Sequence, residues 1–164
     1  MACDVLAGRL KAPGGVIYED EYWMVDHSVS PVMLRGFLII KLKRHCEHLA
    51  ELTPEEAAAF GPIMRNTCLA ISQMLKPAKV YVCSFGEAVK HIHFYVIPRT
   101  PDLPAGSLPV FIHLRMKLIL HRLGMKKLAC SDAEAAEAAA QVRVELRHLM
   151  EERTDSGLVD EGVR

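Results

Sequence analysis

His91 and His93 stand two residues apart in the run His91-Ile92-His93-Phe94-Tyr95-Val96. A strand here turns His91, His93 and Tyr95 to one face and Ile92, Phe94 and Val96 to the other. Alone, such a pair reads as the wet face of a half-buried strand. The residues just before it change that reading. In Gly86-Glu87-Ala88-Val89-Lys90, a glycine lets the backbone approach a ligand, and successive N–H groups in such a turn form an anion-binding concavity. Near pH 7 a neutral imidazole is a nucleophile that can attack phosphorus. A phosphate-holding turn followed directly by an imidazole suits phosphoryl or nucleotidyl transfer.

Such a site needs a frame, and the flanking sequence supplies one. Val16-Ile17-Tyr18 and Tyr22-Trp23-Met24-Val25 read as short strands joined by an acidic turn, and Phe37 to Leu42 as a buried strand. A loop from Asp26 to Arg35 separates them. Thr53-Pro54-Glu55-Glu56 combines a cap, a proline at the first helical position and a capping-box glutamate. The helix it opens runs to about Leu75, with a kink expected at Pro62. Strands follow over Lys79 to Ser84 and His91 to Ile97. Thr100 to Leu108 reads as a linker, Pro109 to Leu123 as a helix, and Ser131-Asp132-Ala133-Glu134 as the start of a helix reaching Arg153. Strands, helix, strands and two helices make an α+β order. The expected divisions are a main domain over 1–107 that carries the phosphate-holding turn and His93, a C-terminal helical extension of the same domain over 108–153 and a flexible tail over 154–164.

The 164 residues suffice for one domain with an appended element. Lys plus Arg balances Asp plus Glu at 20 each, which argues against charge-driven binding of nucleic acid or an acidic membrane. No apolar run reaches the length of a membrane span, and Met1 to Leu10 lacks the pattern of a secretory signal. The five cysteines include no C-x-x-C pair and read as free thiols in a reducing cytoplasm.

The segment Gly86 to Arg99, GEAVKHIHFYVIPR, resembles the signature of the histidine triad (HIT) superfamily, G-Q-[ST]-V-x-H-x-H-x-H followed by two apolar residues and often Pro-Arg. Three more elements resemble the family in the same order: Val16 to Asp20, its opening hairpin; Gly36 to His45, GFLIIKLKRH, its glycine-to-histidine strand; and Leu52 to Glu56, the start of its long helix. The resemblance covers roughly residues 3 to 100. It implies a half-barrel of antiparallel strands with a long helix, a homodimer, and a nucleotide or dinucleotide as substrate. It implies His93 as the nucleophile on an α-phosphorus and His91 as the residue that orients it. The turn around Glu87, Ala88 and Val89 would receive nonbridging oxygens, and Ser84 could contact phosphate. A ribose contact is implied before Pro31, at Asp26 or at Ser28. His45 takes a structural role. The chemistry requires no cofactor, although a divalent cation could accompany a polyphosphate substrate.

This chain departs from the signature at several positions. Tyr95 replaces the third histidine, near the leaving group, and a phenol is a poorer acid at neutral pH than an imidazolium. Glu87 replaces glutamine and sets a carboxylate near phosphate, a repulsion that Lys90, Arg99 or a cation would have to offset. Ala88 lacks the family's hydroxyl, and Phe37 replaces a histidine. Some common zinc sites of the family use Cys-x-x-Cys near the start. Here Leu6 stands where the second cysteine after Cys3 would be, so no metal is expected. Lys41, Lys43, Arg44, His45 and His48 read as a solvated basic strand end, with phosphate steering as the functional alternative. Arg115, Lys117, Arg122, Lys126 and Lys127 make a basic helix that could serve a polyphosphate tail or an acidic partner. His113, His121 and His148 read as surface residues.

Overall fold

The computed structural model describes residues 2–29, 34–101, 103–125 and 130–160. Lys126 and Lys127 lie outside them. Strands β1 (Val16–Glu19) and β2 (Trp23–His27) form an antiparallel hairpin. Asp20 shapes its turn by accepting from the N–H groups of Tyr22 at 2.8 Å and Trp23 at 2.6 Å. With β3 (Leu38–Leu42), β4 (Lys79–Cys83) and β5 (His93–Arg99) they build one antiparallel sheet in the order β1-β2-β3-β5-β4. The register sets Lys41 opposite both Met24 and His93, and Ile39 opposite both Asp26 and Tyr95. Alternation then puts Trp23, Val25, Leu38, Ile40, Phe94 and Val96 on the back of the sheet, and Asp26, Lys41, His93 and Tyr95 on its front.

Helices α2 (Pro54–Leu75) and α4 (Asp132–Asp160) cover the back. The capping box at Thr53 and Glu56 starts α2, and the Trp23 indole donates to the Glu56 carbonyl at 2.9 Å. The helix continues through Pro62. The carbonyl that Pro62 leaves without an N–H partner belongs to Ala58, an exposed residue, so water can satisfy it. Helix α4 packs into the same core. Ala139, Val142 and Leu146 belong to the same core as the back of the sheet, and a Cβ on Gly14 would lie 2.8 Å from that of Ala139. The helix also runs past Arg153 to Asp160.

Helix α3 (Ser107–Arg122) lies on the front. Its Val110 and Leu114 join Leu34, Phe37, Ile97 and Leu103 in a second apolar cluster. A short helix, α1 (Ala2–Leu6), precedes the sheet, and no periodicity in the sequence marks it. Among the described residues, no helix is long and apolar enough to cross a membrane.

Candidate active site around His93

Strand β5 begins at His93 rather than at His91, and that start separates the two histidines. His93 is buried on the front of the sheet, and its Nδ1 donates to the main-chain carbonyl of His91 at 2.7 Å. A carbonyl only accepts, so the proton sits on Nδ1 and, in the neutral ring, the lone pair sits on Nε2. His91 points elsewhere: its Nε2 donates to the Leu42 carbonyl at 2.7 Å, and its Nδ1 lies 3.2 Å from Cys3 Sγ. The expectation that His91, His93 and Tyr95 share one face is therefore corrected. The backbone turns just before the strand, and His91 meets the site through its carbonyl.

His93 faces a cavity of about 390 Å³ between the front of the sheet, α1 and α3. Tyr95, Asp26, Ser28 and Val89 line it as well. Ser28 Oγ is buried with no hydrogen-bond partner among the described residues, a polar atom available to a ligand. Asp26, placed in a loop by the sequence reading, belongs to β2 and ion-pairs with Lys41 in the cavity wall. Burial pushes its carboxyl up, against the lowering pull of the Lys41 ammonium. Lys41 is itself only 1% exposed; the expectation of a solvated basic strand end fails for it because its side chain lies on the covered front face.

The structure does not bring Ser84, Glu87 or Ala88 side chains to this cavity; all three are exposed. The main-chain N–H groups of Glu87, Ala88 and Val89 nevertheless have no protein acceptor among the described residues, and Gly86 takes φ +70°. Neither cation offered as an offset to Glu87 serves it: Lys90 meets Glu47 at 3.9 Å, and Arg99 donates to the Leu103 carbonyl at 3.2 Å. Tyr95 is held among rings, 4.8 Å from His93, 5.5 Å from Phe37 and 6.2 Å from Phe85 between centroids. Burial pushes its phenol up from the ordinary value of 10.0. Arg115 and Arg122 of α3 line the opposite wall.

A second cluster stands behind the nucleophile. Cys3 Sγ lies 3.6 Å from His45 Nδ1 and 3.2 Å from His91 Nδ1, and one ligand atom from each residue lies within 4.8 Å of the others. One thiol and two imidazoles fit three positions of a tetrahedral zinc ion. His91 also has the outer hydrogen bond to a carbonyl that orients a metal-binding histidine. A bound ion would pin α1 to the start of β5 and would supply structural restraint rather than chemistry. No spacing rule links Cys3 to His45 and His91; α1 brings them together.

The family model of the HIT domain matches residues 9–102. No curated protein matches the chain. Among solved structures, the fold resembles a hypothetical histidine triad nucleotide-binding protein of Sulfolobus tokodaii, with TM-score 0.63, 17% identity and coverage of 90% of this chain and 91% of that one. It also resembles a zinc-bound histidine triad family protein of Mycobacterium smegmatis (0.61, 22%, 92% and 94%). A third is a HIT-like protein involved in cell-cycle regulation from Bartonella henselae (0.61, 14%, 88% and 95%). The five-stranded open antiparallel sheet with its helices, the His91–His93 pair and the matched segment place this chain in the HIT family.

Proposed function

We propose that the protein is a nucleotide-binding hydrolase or nucleotidyltransferase acting through His93. The observation that carries the reading is the His93 ring. Its Nδ1 is tied to the His91 carbonyl, so Nε2 carries the lone pair, and His93 lines a cavity that Val89, the end of the 87–89 turn, lines as well. In this reading Nε2 attacks the α-phosphorus of a phosphoanhydride, phosphoramidate or related bond. A P–N bond forms, the bond to the leaving group breaks, and its electron pair departs with that group. Water or another acceptor then attacks phosphorus, the P–N bond breaks, and the proton of the acceptor passes to solvent. The N–H groups of the 87–89 turn receive the nonbridging oxygens, where charge collects. Ser28, with its unpartnered hydroxyl, is favoured over the ion-paired Asp26 as the ribose contact.

The reading includes the homodimer that the family implies. The exposed Leu108, Ile112, Met116 and Ile119 of α3 support it as surface that a second copy would cover. It also includes a cytoplasmic setting, which suits five cysteines that are all free. The chemistry at His93 requires no cofactor, and a divalent cation in that cavity would accompany only a polyphosphate substrate.

Incubation with a panel of dinucleoside polyphosphates and nucleoside phosphoramidates tests the reading. Product formation and a nucleotidyl adduct on the His93 peptide are expected, both lost in His93→Ala. Turnover that His93→Ala leaves intact overturns it. A second reading, a nucleotide-binding module with little or no turnover, is favoured by the buried Tyr95 phenol in place of an imidazole. It predicts binding with no adduct and no product.

A further inference from the structure

Lys41 is the only buried lysine among the described residues. Three observations bear on it. It stands on the front of the sheet directly opposite His93 in the β3–β5 ladder, where facing Cβ atoms lie about 5 Å apart. Its ammonium is ion-paired with Asp26, itself 1% exposed. Both residues line the cavity that His93 faces.

A buried ion pair is a weak source of stability, because a well-packed apolar pair of similar volume does as well or better. The neighbouring front-face residues Ile39 and Ile97 show that apolar side chains fit this wall. A cation kept beside a nucleophile therefore points to a ligand. The ligand's charge is also legible. The 87–89 turn offers main-chain N–H groups but no hydroxyl at Ala88, and Glu87 adds a negative charge. A phosphate entering this cavity gains little neutralisation from the turn. An ammonium has three donors, and Asp26 is its polar partner among the described residues, so donors remain for an anion.

We propose that Lys41 is a phosphate-binding residue, its ammonium meeting a nonbridging oxygen of the phosphate group that His93 faces, with Asp26 as the positioning residue that holds it in the cavity wall. The inference rests on the nucleotide reading above and adds a contact from β3, outside the segment Gly86 to Arg99. It makes the anionic phosphate, more than the nucleoside, the group that this site selects.

Calorimetric titration with adenosine, guanosine, cytidine and uridine and with their 5′-monophosphates tests it. The ratio of nucleoside Kd to monophosphate Kd reads the contribution of the phosphate alone. The variants are Lys41→Met and the double Asp26→Asn/Lys41→Met, which leaves no lone buried carboxylate; Lys41→Gln serves where methionine prevents folding. In the double variant the ratio is expected to fall about 10- to 100-fold, the size of a lost charge-assisted hydrogen bond, while nucleoside affinity changes less than about threefold. Lys41→Arg is expected to keep most of the ratio. An unchanged ratio, or equal weakening of nucleoside and monophosphate, overturns the Lys41 assignment and leaves the nucleotide reading standing. A wild-type protein that binds none of the eight ligands overturns both.

Discussion

Arg44 grips Glu56 with both arms of its guanidinium, Nε at 2.9 Å from one carboxylate oxygen and an Nη at 2.8 Å from the other. The pair joins the end of β3 to the first turn of α2. Glu56 also accepts from the Thr53 N–H at 2.9 Å, while its own N–H donates to Thr53 Oγ1 at 3.2 Å. One carboxylate thus closes a helix cap and a strand end together.

Glu56→Gln should therefore cost more than an ordinary surface change. It keeps the shape but removes the charge that both hydrogen-bond sets use, and a loss of about 1–3 kcal/mol is expected. The pH dependence has a definite sign. The Arg44 hydrogen bond holds the Glu56 carboxyl below its ordinary 4.5. The stabilisation is complete above that ordinary value and is lost as pH falls through the lower folded value. Urea midpoints of wild type and variant between pH 3 and pH 7 should converge at the acid end. Parallel curves over the whole range would refute the assignment.

His27 offers a second stability test on a different part of the chain. Its Nε2 accepts from the Gly36 N–H at 2.9 Å, and its Nδ1 donates to the Ser28 carbonyl at 3.1 Å. Only the neutral ring can do both. Burial lowers the pKa of His27 from the ordinary 6.5, so the unfolded chain binds the proton first. Its stabilisation is fully present above 6.5 and declines below it, down to the folded value. His27→Gln removes this titration, and its urea midpoint should fall less steeply than wild type between pH 6.5 and pH 5. Gly36→Ala probes the same corner without charge. Gly36 has φ +75°, and an added Cβ would lie 2.1 Å from Leu75 Cδ1, so a loss of about 1–2 kcal/mol is expected at all pH values. A Gly36→Ala protein as stable as wild type would contradict that geometry.

Much of the frame was legible in the sequence because it is local. The capping box at Thr53, the apolar run ahead of Arg44 and the alternation from His93 to Ile97 each carry their own signal. What escaped depends on which elements meet. Lys41 in Phe37-Leu38-Ile39-Ile40-Lys41-Leu42 looks like a charge at a strand end. Only register and the cover of α3 show it buried. Asp26 looked like a loop carboxylate, yet β2 extends two residues further and aims it at that lysine. The approach of Cys3 to His45 and His91 needs a helix of five residues that no periodicity announces.

Zinc is expected to stabilise the protein through Cys3, His45 and His91. After treatment with a chelator, stoichiometric zinc should raise the unfolding midpoint. The gain should grow with free zinc as mass action requires, roughly 2.7 kcal/mol at a hundredfold excess over Kd. Cys3→Ser and His45→Ala should each abolish most of the shift, while Cys68→Ser, away from the cluster, should keep it. A zinc effect that survives loss of Cys3 would assign the ion elsewhere, and no zinc effect at all would leave the cluster as a packing contact.

Tyr95 bears on the choice of leaving group. In the family arrangement residue 95 lies near the departing group, and here it is a phenol whose ionisation burial has pushed up. Its ring packs edge-on against His93 and Phe37. At neutral pH it holds its proton too tightly to act as an efficient acid. Phosphate or a nucleotide departs from an anhydride as a weak base and needs no proton, whereas the amine of a phosphoramidate does. Tyr95→Phe should therefore change anhydride turnover by less than about threefold. Tyr95→His should raise phosphoramidate turnover about tenfold or more while moving anhydride turnover little, since it installs an acid near pH 7. Both substrates should still give the same adduct on His93. Equal gains for the two substrates in Tyr95→His, or a large loss in Tyr95→Phe, would show that the phenol or its position does something other than decline to donate a proton.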